Sequence, residues 1–246
     1  MISYKMFKNW LLDLIFPAVC FGCGTGGSFL CPMCHNKLRW IPPTCFVCKK
    51  FIPARRRITA GRTCVSCQKK SSIYAFLSPF SYNDEAPREL IHSLKYNRVR
   101  SAAPVLVSLL LEYFDIYGIF LPKEAVIMPI PLYKSRERVR GFNQSGLIAT
   151  QLAELYQAKL GTCSKLSLVQ QVLRKIKKTK PQIELSADKR RRNVIGTFGV
   201  ADPASIKQKV VLLLDDVKTT GATLEEAARV LKEAGAKRVW AITVAH

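Results

Sequence analysis

Asp215 and Asp216 stand side by side after the apolar run Val210 to Leu214 and before the polar loop Val217-Lys218-Thr219-Thr220-Gly221-Ala222-Thr223. Two carboxylates repel a phosphate, so sugar hydroxyls or a metal ion are their natural partners. The loop suits an anion: three threonine hydroxyls and a glycine precede a helical pattern, where free N–H groups and the helix dipole favour phosphate. A second chemical set lies upstream. Eight of the nine cysteines form C-x-x-C pairs: Cys20/Cys23, Cys31/Cys34, Cys45/Cys48 and Cys64/Cys67. One such turn gives a metal two thiolates, and tetrahedral Zn²⁺ needs two turns. The eight sulfurs therefore fit two Cys₄ sites, paired sequentially or interleaved. A disulfide framework competes, but it needs an oxidising compartment and no export signal is visible. Four copies in a row do not match a thioredoxin-type redox pair. His35, beside Cys34, reads as a bystander.

The acid pair needs a rigid mount. Val210 to Leu214 suits a strand buried on both faces of a parallel sheet. Leu224, Ala227, Ala228, Leu231 and Ala234 recur at helical spacing, Gly235 stops the helix, and Val239 to Ala245 forms a second apolar run. The unit is strand, loop, helix, strand.

LLLDDVKTTGAT resembles the phosphoribosyl-diphosphate (PRPP) motif of type I phosphoribosyltransferases. That resemblance implies that Asp215 and Asp216 hold the ribose hydroxyls. Lys218, Thr219, Thr220, Gly221, Ala222 and Thr223 would hold the 5′-phosphate, with Mg²⁺ accompanying PRPP. Lys218 stands where related loops often carry an apolar or aromatic residue, and it adds a cation. Residues 125 to 160 repeat the logic. Ala125 to Ile130 reads as a strand that Pro131 ends. The loop Leu132 to Phe142 carries Lys134, Arg136, Arg138 and Arg140, and Leu147, Ile148, Leu152 and Leu155 mark a helix. A basic loop between strand and helix suits the diphosphate half of such a site, with Lys134, Arg136 and Arg140 as its cations. Gly141 allows a close turn, and Asn143 is placed to cap the helix.

Between these units and the cysteines, Ile73 to Leu77 and Phe80 to Tyr82 read as short strands, with a turn at Ser78-Pro79. A helix starts near Asn83 to Pro87. Helical spacing continues through Leu94 and again from Val105 to Tyr113, with a break near Asn97 to Ala103. Lys95 before that break is a surface cation or a diphosphate contact; His92 is structural. From Gln171 to Arg192, nine basic residues face only Glu184 and Asp188, and apolar positions are too sparse for a core helix. This reads as an exposed segment. The resemblance to phosphoribosyltransferases, in which a loop at a similar place closes over the site, implies that Arg174, Lys175 and Lys178 could support diphosphate departure. Arg174, Lys175, Lys177, Lys178, Arg190, Arg191 and Arg192 could equally contact a nucleic-acid backbone. Cys163 is unpaired and structural or exposed.

Together these pieces resemble the ComF family of competence proteins over nearly the whole chain. The four C-x-x-C pairs, RELIHSLKY, MPIPLYKSRERVRGFNQ, KTKPQIELSADKRRRNVIGTF and LLLDDVKTTGAT carry the resemblance. It implies an α/β fold: a type I phosphoribosyltransferase-like parallel sheet flanked by helices, plus a small amino-terminal double zinc ribbon. It also implies a role in natural transformation, the cytoplasmic handling of incoming single-stranded DNA, and partners among competence helicase and recombination proteins.

Composition agrees with a polyanionic partner. The chain of 246 residues has 39 Lys and Arg against 17 Asp and Glu, a formal charge of +22. Residues 1 to 70 hold twelve Lys or Arg against Asp13 alone, including Arg55-Arg56-Arg57 between the third and fourth cysteine pairs. That triplet is a solvated loop or a nucleic-acid contact. The expected domains are residues 1–70, whose scarce apolar content makes folding metal-dependent, and residues 71–246. No segment reads as membrane-spanning: Trp10 to Val19 is short and carries Asp13 and Pro17, and Val105 to Leu121 reads as a core helix. The expected compartment is the cytoplasm. Two functions stay open. One is an active phosphoribosyltransferase of nucleotide or nucleobase metabolism; the other is a single-stranded-DNA-handling protein that retains PRPP binding.

Overall fold

The structure, a computed structural model, describes residues 18–56, 58–96, 99–161, 165–178 and 193–246. Its centre is strand β6, Val210–Leu214, with β2, Glu124–Pro129, on one side and β7, Arg238–Ile242, on the other. Strand β1, Ile73–Leu77, pairs with β7, and β3, Lys165–Leu168, pairs with β2. The sheet order is β1-β7-β6-β2-β3, and every pairing is parallel.

A parallel sheet covered on both sides needs strands that are apolar at every position. Successive side chains of β6 go to opposite faces. Leu212 and Leu214 join one core with Ile127 and Ile242, whereas Val211 and Leu213 join a second core with Val126 and Met128. The first core is covered by helices α2 (Glu85–Lys95), α3 (Ala102–Ile116) and α5 (Gln144–Leu160); the second by α6 (Ala222–Glu233). Leu224, Ala227, Ala228 and Leu231 form the buried stripe of α6, as their spacing predicts.

The cysteine segment, with the short helix α1 at Pro32–Asn36 and a 3-10 helix at Val65–Lys70, lies against this sheet. Backbone bonds Thr63 N to Tyr74 O (2.8 Å), Phe76 N to Gly61 O (2.9 Å) and Ile41 N to Pro79 O (2.7 Å) stitch it down. The Trp40 ring lies 4.8 Å from that of Phe80. His35 Nε2 meets Glu112 Oε2 of α3 at 2.8 Å, so the histidine's partner is a carboxylate of the large domain.

Three local expectations change. The stretch Leu132 to Phe142 contains a short helix, α4 at Lys134–Arg140, which buries no residue. An exposed helix needs no apolar stripe, so periodicity could not announce it. Gly141 ends it with φ +80°, a left-handed cap that glycine adopts without steric cost. Of Phe80 to Tyr82, only Phe80 makes a strand-like bridge, to Ala245. The basic stretch after Gln171 opens with strand β4, Leu173–Lys175, paired antiparallel with β5, Phe198–Val200, and Val172 and Leu173 are buried. Arg57, Cys163 and the Arg190-Arg191-Arg192 triplet lie outside the described residues, as does nearly all of Trp10 to Val19. Among the described residues no helix is long and apolar enough to cross a membrane.

Candidate active site and metal centres

The acid pair sits at the carboxyl end of β6, where the sheet aims its last residues at the start of α5. Asn143 makes that junction. Its Oδ1 accepts from Ser145 N at 3.1 Å, and its Nδ2 donates to Ile130 O at 3.0 Å, tying the α5 cap to the end of β2. The next two side chains grip the acids. Gln144 Nε2 donates to Asp216 Oδ2 at 2.8 Å, and Ser145 Oγ donates to Asp215 Oδ1 at 2.9 Å. Lys95, from the end of α2, closes the set at 2.8 Å from Asp216 Oδ1.

The two acids differ as a result. Asp216 is 4% exposed, with a donor on each oxygen. Asp215 has both its hydrogen bonds on Oδ1, including one from Asp216 N at 2.9 Å, and Oδ2 carries none among the described residues. Burial, then the charge of Asp216, pushes the Asp215 carboxyl up to about 7; Lys95 and Ser145 pull the other way. Gln144 Oε1 is buried without a partner among the described residues. The open carboxylate oxygen of Asp215 suits a ligand bearing hydroxyl donors.

Cations surround this centre. Lys175 on β4 is held below the ordinary lysine range by burial and then by the nearby charge of Arg136, with Asp215 acting in the opposite sense. Lys175 on this hairpin thus feels the charges of Asp215 and Arg136. Arg140 lies over the Tyr96 ring at 5.6 Å, and Arg100 over Phe142 at 4.9 Å, tying α4 and its C-terminal turn to the segment after α2. Lys134, Arg174, Lys177 and Lys178 are exposed, as are Arg55 and Arg56 on the cysteine segment.

The threonine loop runs into α6 through Gly221, whose φ is +80°. A Cβ there would meet Phe46 Cζ at 2.7 Å. Phe46 belongs to the third cysteine turn, so the loop is packed directly under that turn. The Lys218 ammonium lies 5.0 Å from the Phe46 ring and 5.1 Å from the Phe76 ring, and it pairs with neither aspartate. Thr219 is exposed, and Thr220 and Thr223 are half-buried.

The cysteines gather as Cys20/Cys23/Cys31/Cys34 and Cys45/Cys48/Cys64/Cys67, so the pairing is sequential. Cys23 and Cys31 Sγ are 3.6 Å apart, Cys48 and Cys64 3.6 Å, and Cys45 and Cys64 3.8 Å. Those spacings are far beyond a disulfide of about 2.05 Å. They match the edge of a tetrahedron with Zn–S of about 2.3 Å, which is about 3.8 Å. Backbone N–H groups support the sulfurs, such as Cys31 N to Cys20 Sγ at 3.3 Å. Without a cation, four crowded thiols cannot all ionise. Burial and its neighbouring sulfurs push Cys34 up to about 12, and Cys64 with burial does the same to Cys67. Cys64 instead falls to about 6, chiefly through the Ser66 hydroxyl. The donor sets could each hold a structural zinc ion.

Sequence reasoning named the acids, the loop and the cysteines but not Gln144 or Ser145 as acid partners. The signal was present, because both follow Asn143 in RGFNQS.

Comparison with known proteins adds kinship. Residues 147–246 match the phosphoribosyl transferase domain family. The chain is 30% identical over 239 residues to DNA utilization protein YhgH of Salmonella typhimurium, covering 93% of this chain and 98% of that protein. It is 28% identical to competence protein F of Haemophilus influenzae, covering 91% of this chain and 89% of that one. It is also 28% identical to competence protein ComFC of Bacillus subtilis, covering 88% and 79% respectively. Among solved structures, a hypoxanthine phosphoribosyltransferase from Staphylococcus aureus aligns with a TM-score of 0.35 and 16% identity, covering 58% of this chain and 62% of that one.

Proposed function

The chain belongs to the ComF family of competence and DNA utilization proteins, and from that premise we propose that it handles incoming single-stranded DNA in the cytoplasm while binding PRPP. The observation that carries the PRPP reading is the interlock of two motifs. Gln144 and Ser145 each bond one aspartate, and Lys95 completes the pair. Such a network holds carboxylates in one geometry before a ligand arrives.

In this reading Asp215, through Oδ2, and Asp216 face the ribose hydroxyls. The loop from Thr219 to Thr223 takes the 5′-phosphate at the start of α6. Arg136, with Lys134 and Arg140, takes the diphosphate. When bound with PRPP, Mg²⁺ supplies neutralisation of part of the diphosphate charge. Two structural zinc ions hold the cysteine segment. Arg55, Arg56, Lys177 and Lys178 are accessible cations for a DNA backbone. Turnover is the second reading, favoured by Lys175, which stands near Asp215 and Arg136 where a departing diphosphate needs a cation.

Calorimetry with PRPP and Mg²⁺ tests the site. The double variant Asp215→Asn, Asp216→Asn should bind at least about tenfold more weakly, and unchanged affinity would sink the assignment. Diphosphate release by the wild type, with and without single-stranded DNA, separates turnover from binding alone.

A further inference from the structure

The third cysteine turn and the threonine loop enclose a second pocket, of about 290 Å³. Its walls are Phe46, Val47 and Lys49 from the cysteine segment, and Lys218, Thr219, Thr220 and His246 from the large domain. No Asp or Glu is among the described residues that line it. We infer that this pocket is an oxyanion site, built to take a phosphate group, on the cysteine-segment side of the loop whose Thr219 and Thr220 also border the 5′-phosphate cradle.

Three observations carry the inference. Lys218 is a lysine only 8% exposed, and among the described residues its ammonium pairs with no carboxylate. Two aromatic rings face it, which eases its burial without neutralising its charge. A buried cation without a counter-charge is costly unless an anion joins it. The second observation is the Nδ1 of His246, which is buried without a hydrogen-bond partner among the described residues. The third is Lys49, an exposed cation that lines the same pocket as Lys218 and His246. Burial and these two lysines hold the His246 imidazole down to about 4, so it stays neutral. An oxyanion would cancel the lysine charges and accept from a protonated imidazole, reversing that shift.

The donor set shares Thr219 and Thr220 with the cradle and adds the side chains of Lys49, Lys218 and His246. The 5′-phosphate reading uses backbone N–H groups of the loop and the start of α6. Here the donors are side chains from two segments, and the Lys218 N–H is already committed to Ala245 O at 2.9 Å. The phosphate could be free or belong to a polynucleotide.

The test follows the imidazole resonances of the full-length, zinc-loaded protein during titration with inorganic phosphate. The three histidines are His35, His92 and His246, and His246→Gln assigns the last. The expected result is a saturable shift confined to His246, its pKa rising by about one unit or more. Lys49→Ala and Lys218→Met should each weaken phosphate binding about tenfold. Lys49 is exposed, so its variant keeps the test valid should Lys218→Met fail to fold. No response of His246, or wild-type affinity in Lys49→Ala, overturns the proposal. So does displacement of phosphate from His246 by PRPP with Mg²⁺, since the two sites would then be one. If PRPP fails to bind while His246 still responds, the PRPP reading falls and this one stands. Ten-residue oligodeoxythymidylates identify the source. A response without a 5′-phosphate names the phosphodiester, one needing it names the strand end, and none names free phosphate.

Discussion

The Lys95 ammonium lies 2.8 Å from Asp216 Oδ1, with the two side chains 14% and 6% exposed. The lysine comes from the last residue of α2 and the aspartate from just beyond β6, so the contact clamps a helix end to the carboxyl edge of the sheet. With Gln144 on the other oxygen, Asp216 is held from both sides, and Asp215 keeps the open oxygen. Asp216 therefore orients the site, and Asp215 is its more adaptable ligand.

Removing the cation should leave a buried charge. Lys95→Met is expected to cost about 3–5 kcal/mol in denaturant unfolding. Adding Asp216→Asn should recover much of that loss, because the cycle then removes both charges. Burial works against the Lys95 charge, but Asp216 more than compensates and raises its pKa. This contribution is therefore complete below the ordinary lysine range and is lost only as pH rises above it. A single variant as stable as wild type would contradict the clamp.

Affinity for PRPP should depend on pH through Asp215. Its folded pKa of about 7 lies above the ordinary 3.8, so the ligand-free protein loses this group's contribution to stability as pH rises between those values. Binding runs the other way, since ribose hydroxyls and Mg²⁺ favour the carboxylate. Calorimetry should find affinity rising up to about tenfold per pH unit below 7 and levelling above it. Asp215→Asn should flatten the profile; a wild-type profile flat from pH 5.5 to 8 would refute the assignment.

Metal analysis should return two zinc ions per chain, and chelation should abolish the order of the cysteine segment by circular dichroism. Cys48→Ser and Cys23→Ser should each lose one ion. Only Cys48→Ser should also weaken PRPP binding, because Phe46 of that turn packs against Gly221. Equal effects of both variants on PRPP would show that the turn does not support the loop.

Single-stranded DNA affinity should fall steeply with salt. Each phosphate contact removed should lessen the slope of log K against log salt by about 0.7. Arg55→Ala with Arg56→Ala tests the cysteine segment, and Lys177→Ala with Lys178→Ala tests the residues after β4. A salt slope unchanged in both pairs would place the DNA elsewhere.

The sequence by itself determined the elements whose physics is local. Val210 to Leu214 is apolar at every position because both its faces are covered, and that pattern needs no neighbour to be read. Four C-x-x-C turns implied two Cys₄ sets in the same way, and Asn143 announced its own cap. Tertiary structure decided what depends on distance between remote segments. Sequential pairing of the cysteine turns required the folded backbone. Helix α4 escaped because it buries nothing, so it left no apolar period. The roles within the acid pair escaped as well. Asp215 and Asp216 are identical in type and adjacent in chain, and they differ because Lys95 and Gln144, from two other helices, converge on one of them. Lys218 makes the same point: the chain shows a cation beside a phosphate loop, but only packing against Phe46 and Phe76 buries it without a carboxylate partner among the described residues.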